Sequence, residues 1–161
     1  MNIQTAKDVM TRAEMTLSPE TKIYSAMKSL LKHRLVGAPV TDAGGRLVGM
    51  LTDKDCFAAV AGEAFDGVPE GCVEDYMTRD VETVSPTASL YEIIDKFRQT
   101  THRKFPVVDD QGRVIGQLSR RDALRAIEGI RDNSYLYGTK EESPVDVQGV
   151  DSAMRRARDQ R

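Results

Sequence analysis

The sequence predicts a mixed α+β fold in which two pseudo-symmetric β-α-β-β-α units pack as one module, and three observations carry that expectation. The first is an internal duplication at a constant offset of 67 residues. Asp8-Val9-Met10-Thr11-Arg12 returns as Asp75-Tyr76-Met77-Thr78-Arg79, Ser18-Pro19 as Ser85-Pro86, Pro39-Val40 as Pro106-Val107, and Gly45-Arg46 as Gly112-Arg113. Residues 6–60 laid on 73–127 share 17 identities in 55 positions, where composition alone gives roughly three. The second is unit size: about 55 residues sits near the lower limit for an adequate core, while the whole chain buries a far larger fraction of its surface as one body. Two copies at this period, longer than the roughly 20–50 residues of solenoids, disfavour a solenoid or propeller. The third is the order of periodic segments within each unit.

Each unit opens with a short extended segment, Thr16-Leu17 in the first and 81–84 in the second. Ser-Pro stops both, because proline disfavours helix in the residue ahead of it. An amphipathic helix follows. Ile23, Ala26, Met27, Leu30 and Leu31 fall at i, i+3, i+4, i+7 and i+8, answered by Leu90, Ile93, Ile94 and Phe97. Two strands come next, over 38–41 and 46–51, with copies at 105–108 and 113–118. The Asp- and Gly-rich joints 42–45 and 109–112 mark both as hairpins. A closing helix begins at Thr52 or Ser119, whose hydroxyl can cap the free amides of a first turn. The domain plan is repeat 1 over 6–61, a Gly- and Pro-bearing linker over 62–72, repeat 2 over 73–130 and a C-terminal extension over 131–161. In that extension 132–134 and 138–144 read as loop and 135–137 as a docking point. Val147, Val150 and Met154 suggest a short helix ending in Arg155-Arg156-Ala157-Arg158.

Composition narrows the function classes. A formal charge of −2 supplies no basic field for nonspecific nucleic-acid binding. The N-terminal eight residues lack the apolar core of a signal peptide and no stretch approaches a membrane span, so the expected compartment is the cytoplasm. Cys56 and Cys72 have neither metal-ligand spacing nor a disulfide framework and read as reduced, packed thiols. Catalysis is not expected. The two histidines, His33 and His102, accompany no serine or cysteine motif, and Asp109-Asp110 and Asp53/Asp55 read as a turn and a helix start rather than a Mg²⁺ site. Neither a metal nor a catalytic cofactor is implied.

The chemistry that is implied sits at the closing helices. Gly49-Met50-Leu51-Thr52-Asp53-Lys54-Asp55 and Gly116-Gln117-Leu118-Ser119-Arg120-Arg121-Asp122 each bring a hydroxyl to a helix N-terminus, where free amides and the helix dipole favour an anion such as phosphate. The aspartate three residues on, Asp55 or Asp122, can accept from paired hydroxyls such as a ribose diol. The plain alternative is that Thr52/Asp55 and Ser119/Asp122 are capping boxes.

The order β-α-β-β-α and this Gly-hydrophobic-hydrophobic-Thr/Ser-x-x-Asp motif, twice in register with Ser-Pro and Pro-Val, resemble the cystathionine-β-synthase (CBS) domain; two in tandem resemble the Bateman module. The second copy departs at Gln117, where the family usually has an apolar residue. The resemblance covers about residues 6–130. It implies an adenosyl ligand, AMP, ADP, ATP or S-adenosylmethionine, in clefts between the repeats. Contacts are expected from Thr11, Arg12, Ala13, Val36 and Gly37 in the first repeat, and from Thr78, Arg79, Val81, His102, Arg103 and Lys104 in the second. Thr52, Asp55, Ser119, Arg121 and Asp122 complete the set. Each cleft is expected to join the Asp-bearing helix of one repeat to the strand-entry segment of the other. Arg103 and Lys104 replace Val36 and Gly37, and Arg120-Arg121 replace Asp53-Lys54, so the second repeat brings the cations a phosphate wants. The function expected is regulatory ligand sensing, with a disc-like homodimer and an unidentified protein partner implied by the resemblance; no membrane or nucleic acid is expected. The alternative is a structural interaction module that binds nothing small.

Overall fold

The computed structural model describes residues 4–62 and 67–135. In chain order these form α1 (Ala6–Val9), α2 (Ile23–His33), β1 (Gly37–Thr41), β2 (Leu47–Thr52), α3 (Asp53–Gly62), α4 (Val73–Tyr76), α5 (Leu90–Gln99), β3 (Lys104–Val108), β4 (Val114–Ser119) and α6 (Arg120–Tyr135). β1 pairs antiparallel with β2, Pro39 opposite Met50, and β3 with β4 in the matching register, Pro106 opposite Gln117. The turn glycines Gly45 and Gly112 sit at φ +80° and +76°, a backbone region that glycine enters without steric cost. The extended segments predicted before each helix contribute one parallel bridge apiece, Leu17 to Val40 and Val84 to Val107.

The two repeats interlock. Each begins with a one-turn helix that seats in the core of the other repeat. The Ala6 and Lys7 amides donate to the Ala88 and Pro86 carbonyls at 2.8 and 2.9 Å, and Ala6 is buried among Val84, Leu90, Ile93 and Phe105. Reciprocally, the Val73 and Glu74 amides donate to the Thr21 and Pro19 carbonyls at 2.9 and 3.0 Å, and Val73 and Met77 are buried among Leu17, Ile23 and Leu51. After each one-turn helix the chain pairs with the other repeat's hairpin, Thr11 against Gln117 and Thr78 against Met50. That close approach explains the motif glycines. A Cβ on Gly116 would stand 2.6 Å from the Met10 sulfur and 2.8 Å from the Thr11 carbonyl, and one on Gly49 would collide with the Met77 sulfur and lie 3.0 Å from the Thr78 carbonyl. The hairpin tips also meet, with the Leu47 amide donating to the Gly112 carbonyl at 2.9 Å and the Val114 amide to the Gly45 carbonyl at 3.0 Å. Neither core is complete without the other repeat.

Three readings of the sequence need correction or limits. Leu31, expected on the core face of α2, is 77% exposed, because Ile23, Ala26 and Leu30 already fill the face toward the sheet. Residues 132–134, expected as loop, belong to α6, which runs on to Tyr135. The remainder of the C-terminal extension from residue 136, with its expected short helix, lies outside the described residues.

Candidate functional site

Two clefts open between the repeats, one at each closing helix. The Thr52 cleft, about 490 Å³, takes Val36 and Gly37 from the entry to β1, Met50 and Thr52 from β2, and Asp53 and Lys54 from the first turn of α3. Across from them stand Thr78, Asp80, Val81 and Glu82, which lead into the second repeat, and residues 101–106 at the entry to β3, including His102, Arg103 and Lys104. The Ser119 cleft, about 760 Å³, takes Gln117 and Ser119 from β4 and Arg120, Arg121, Asp122 and Arg125 from α6. Thr11 and Glu14 come from the segment after α1, with Val36, Arg103 and Lys104 at the side. The bridges Met50–Thr78 and Thr11–Gln117 bring each helix opposite the other repeat's lead-in segment. Both volumes fall in the range of small-molecule sites.

Both closing helices start with a capping box. The amide and hydroxyl of Thr52 donate to Asp55 Oδ2 at 2.8 and 2.9 Å, while those of Ser119 donate to Asp122 Oδ2 at 2.8 and 2.6 Å. The Asp122 amide returns a bond to Ser119 Oγ at 3.1 Å. One carboxylate oxygen of each aspartate does this work. The helix starts then diverge. In α3 the Asp53 amide donates to the Val36 carbonyl at 2.9 Å, and Asp53 Oδ1 accepts from the Lys54 amide at 2.8 Å, so a carboxylate of the chain already occupies the place where an anion would sit. In α6 the Arg120 amide donates to the Arg103 carbonyl at 3.2 Å, but Arg120 stands where Asp53 does and offers the Arg121 amide no carboxylate.

Charge follows the same division. The Thr52 cleft carries Lys54, Arg103 and Lys104 against Asp53, Asp80 and Glu82, which balance. The Ser119 cleft carries Arg103, Lys104, Arg120, Arg121 and Arg125 against Glu14 and Asp122. At the rim of the Thr52 cleft, Glu82 lies 3.6 Å from both Lys96 Nζ and His102 Nε2, and the His102 ring stands edge-on to Phe105 at 5.8 Å between centroids.

Of the residues expected from sequence, Val36, Gly37, Thr52, Thr78, Val81, His102, Arg103 and Lys104 line the Thr52 cleft, and Thr11, Ser119, Arg121 and Asp122 line the Ser119 cleft. Arg12, Ala13, Asp55 and Arg79 line neither. Arg79 instead donates to the Glu74 carbonyl at 3.3 Å, and Asp55 serves the cap of α3. Met50, Glu82, Glu14, Gln117 and Arg125 line the clefts without having been singled out as ligand contacts. Arg125 was within reach of sequence reasoning, one helical turn beyond Arg121 on the same face. Burial and then the Asp55 and Asp53 carboxylates push the Cys56 thiol up. Among the described residues no group of three or more His, Cys, Asp and Glu side chains is arranged to hold a metal ion, and no helix is long and apolar enough to cross a membrane.

Two interlocked α+β repeats with a ligand-sized cleft at each closing helix define a tandem-repeat cleft module. The family model described as CBS domain matches residues 6–62 and again 73–129, and the chain belongs to that family. Among solved structures, CBSX2 in complex with AMP is 28% identical with a TM-score of 0.69, covering 79% of this chain and 98% of that one. CBSX2 from Arabidopsis thaliana gives 26% and 0.72, covering 81% and 99%. The CBS domain pair of protein MJ0100, in complex with 5′-methylthioadenosine and S-adenosyl-L-methionine, gives 30% and 0.67, covering 80% and 98%. Among curated relatives, a 17.7 kDa uncharacterized protein of Acidianus ambivalens is 29% identical over 74% of this chain and 70% of its own length. The L-aspartate semialdehyde sulfurtransferase of Methanocaldococcus jannaschii is 30% identical over 79% of this chain, which spans only 24% of that enzyme.

Proposed function

We propose that this chain is a regulatory module that binds an adenosine-containing ligand between its CBS repeats and passes occupancy to a partner protein through a change in conformation or assembly. The observation that carries the proposal is the Ser119 cleft. It joins a helix N-terminus, a carboxylate with one oxygen outside the capping box, and a row of cations, which suit an anionic group attached to a sugar. Relatives at 28% and 30% identity, solved with AMP and with S-adenosyl-L-methionine, support the adenosyl class. No catalytic role is assigned to any residue.

Assembly as a homodimer is supported by exposed apolar side chains that come in repeat-related pairs. Tyr24 of α2 answers Tyr91 of α5, and Phe57 of α3 answers Leu124 of α6, with Tyr91, Phe57 and Leu124 82%, 70% and 65% exposed. A second copy docked through the same helices would cover these groups twice over, as an isologous contact requires.

The test is a thermal-shift panel of AMP, ADP, ATP and S-adenosylmethionine on the full chain. A ligand that binds the folded state adds RT ln(1 + [L]/Kd), about 2.7 kcal/mol at a hundredfold excess over Kd. At least one member is expected to raise the melting temperature. No rise with any of them at millimolar concentration would transfer the chain to the structural interaction reading.

A further inference from the structure

We infer that the two clefts are specialised, and that the Ser119 cleft alone takes an adenine nucleotide carrying two or three phosphates, with Gln117 reading the base. This deepens the adenosyl reading above and rests on it. Two independent observations meet in this cleft. One is charge: its five cations outnumber its two carboxylates, and Arg103, Lys104, Arg121 and Arg125 take part in none of the ion pairs formed among the described residues. Arg121 and Arg125 stand one turn apart on α6, a spacing that lets two guanidinium groups close on successive phosphates. The bulk of the Thr52 cleft is neutral, and Asp53 already holds the anion position at its helix start.

The other observation is Gln117. It is only 8% exposed, the one polar residue among the buried side chains of the described residues, and it lines the cleft. Its backbone pairs with Thr11, but its carboxamide makes no hydrogen bond within the described residues. Its carboxamide atoms are not enclosed, so their donors and acceptor stay open for a ligand in the cleft to meet. The matching position in the Thr52 cleft is Met50, which offers no such donor and acceptor. A carboxamide presents one donor and one acceptor side by side, the complement of the N6–H and N7 edge of adenine; guanine shows two acceptors there. Gln117 and Ser119 share a strand face two residues apart, about 7 Å. That separation sets a base against Gln117 while the ribose and phosphates run toward Asp122 and the start of α6.

The experiment is isothermal titration of the full chain with adenosine, AMP, ATP, GTP and inorganic tripolyphosphate, at low and high salt. It is repeated on Arg121→Ala/Arg125→Ala and on Gln117→Met, the latter carrying the side chain the first repeat uses at the same place. The native protein is expected to bind one salt-sensitive ATP per chain, more tightly than AMP and adenosine. The arginine variant is expected to lose about tenfold or more in ATP affinity and flatten the salt dependence, with adenosine affinity kept. Gln117→Met is expected to retain the salt dependence and lose about tenfold of the preference for ATP over GTP. Melting temperatures of the free variants, unchanged from the native chain, assign these losses to the cleft. Adenosine bound as tightly as ATP would overturn the inference and leave the adenosyl reading standing. Tripolyphosphate bound as tightly as ATP would remove Gln117 as a base reader and assign the cleft to bare polyphosphate. Failure of every adenosyl compound to bind would end the underlying reading as well.

Discussion

Between the two repeats, five matched positions near the clefts change character, Val36 becoming Arg103, Gly37 Lys104, Met50 Gln117, Asp53 Arg120 and Ala58 Arg125, and of these Val36, Arg103 and Lys104 line both clefts. Over the same stretch the framework repeats almost unchanged. Both hairpins keep one register, both closing helices keep the Thr/Ser-to-Asp capping box, and both motif glycines lie under the methionine of the other repeat. The difference teaches where the freedom lies. Groups that hold two backbones close, or fill the interlocked cores, have little room to change. Cleft residues such as Arg103, Lys104, Arg121 and Arg125, which make no ion pair among the described residues, are freer to change and so set what is bound with little effect on the fold.

The strongest way to break this comparison is to remove the two motif aspartates in turn. Asp122 lines its cleft, whereas Asp55 serves only the cap of α3. Asp122→Ala is expected to weaken ligand binding by about 1.5–3 kcal/mol, the range for hydrogen bonds to a charged group, with Asp55→Ala leaving affinity near its native value. Each should cost roughly 1 kcal/mol of stability through the lost cap. Calorimetry together with urea unfolding separates the two effects, and an equal loss of affinity in both variants would mean that the clefts use their aspartates alike.

Next in size is a test that the framework is shared. Gly49→Ala and Gly116→Ala each push a methyl group toward a backbone carbonyl and a methionine of the opposite repeat. Both are expected to destabilise by about 1–3 kcal/mol, the usual cost of overpacking. Tolerance at one glycine alone, read from denaturant midpoints, would show that one interlock is looser than its copy.

Much of this architecture was legible in the sequence, and for physical reasons. Ile23, Ala26 and Leu30, like Leu90, Ile93 and Phe97, carry helical spacing over enough turns to stand out, and the Asp- and Gly-rich joints mark hairpins by turn chemistry. The one-turn helices α1 and α4 were not legible, since four residues make no periodic signal and their partners lie far along the chain, as with Ala6 on Ala88. Leu31 fits the helical pattern yet stays in water, because periodicity reports an apolar stripe and not how wide a face the sheet can cover. At the candidate site, residue types pointed to Ser119, Arg121 and Asp122. The burial of Gln117 depends on the Thr11 bridge, a pairing between repeats that no local pattern encodes.

Smaller effects sharpen the comparison further. Phe57→Lys with Leu124→Lys replaces a repeat-related pair of exposed apolar groups. If these form the centre of a homodimer contact, dissociation should become about tenfold or more easier by sedimentation, as for residues worth over 1 kcal/mol at an interface. An unchanged mass would move the contact elsewhere. The hairpins differ as well. Bonds from the Arg113 amide foremost, with its guanidinium 2.9 Å away, hold the Asp109 carboxyl below its ordinary value. A carboxyl lowered on folding adds stability above its unfolded value and loses it as pH falls through the folded one. Asp109→Asn should therefore lower stability slightly at neutral and alkaline pH, flatten the acid limb and leave stability below the folded value unchanged, with a loss that persists at low pH pointing to a lost turn instead.

The most direct measurement is a crystal structure of the chain grown with ATP. Specialised clefts predict adenine against Gln117 and phosphates at Arg121 and Arg125 in the Ser119 cleft, with no triphosphate in the Thr52 cleft. Triphosphate bound beside Asp53, or nucleotide bound only there, would contradict the account.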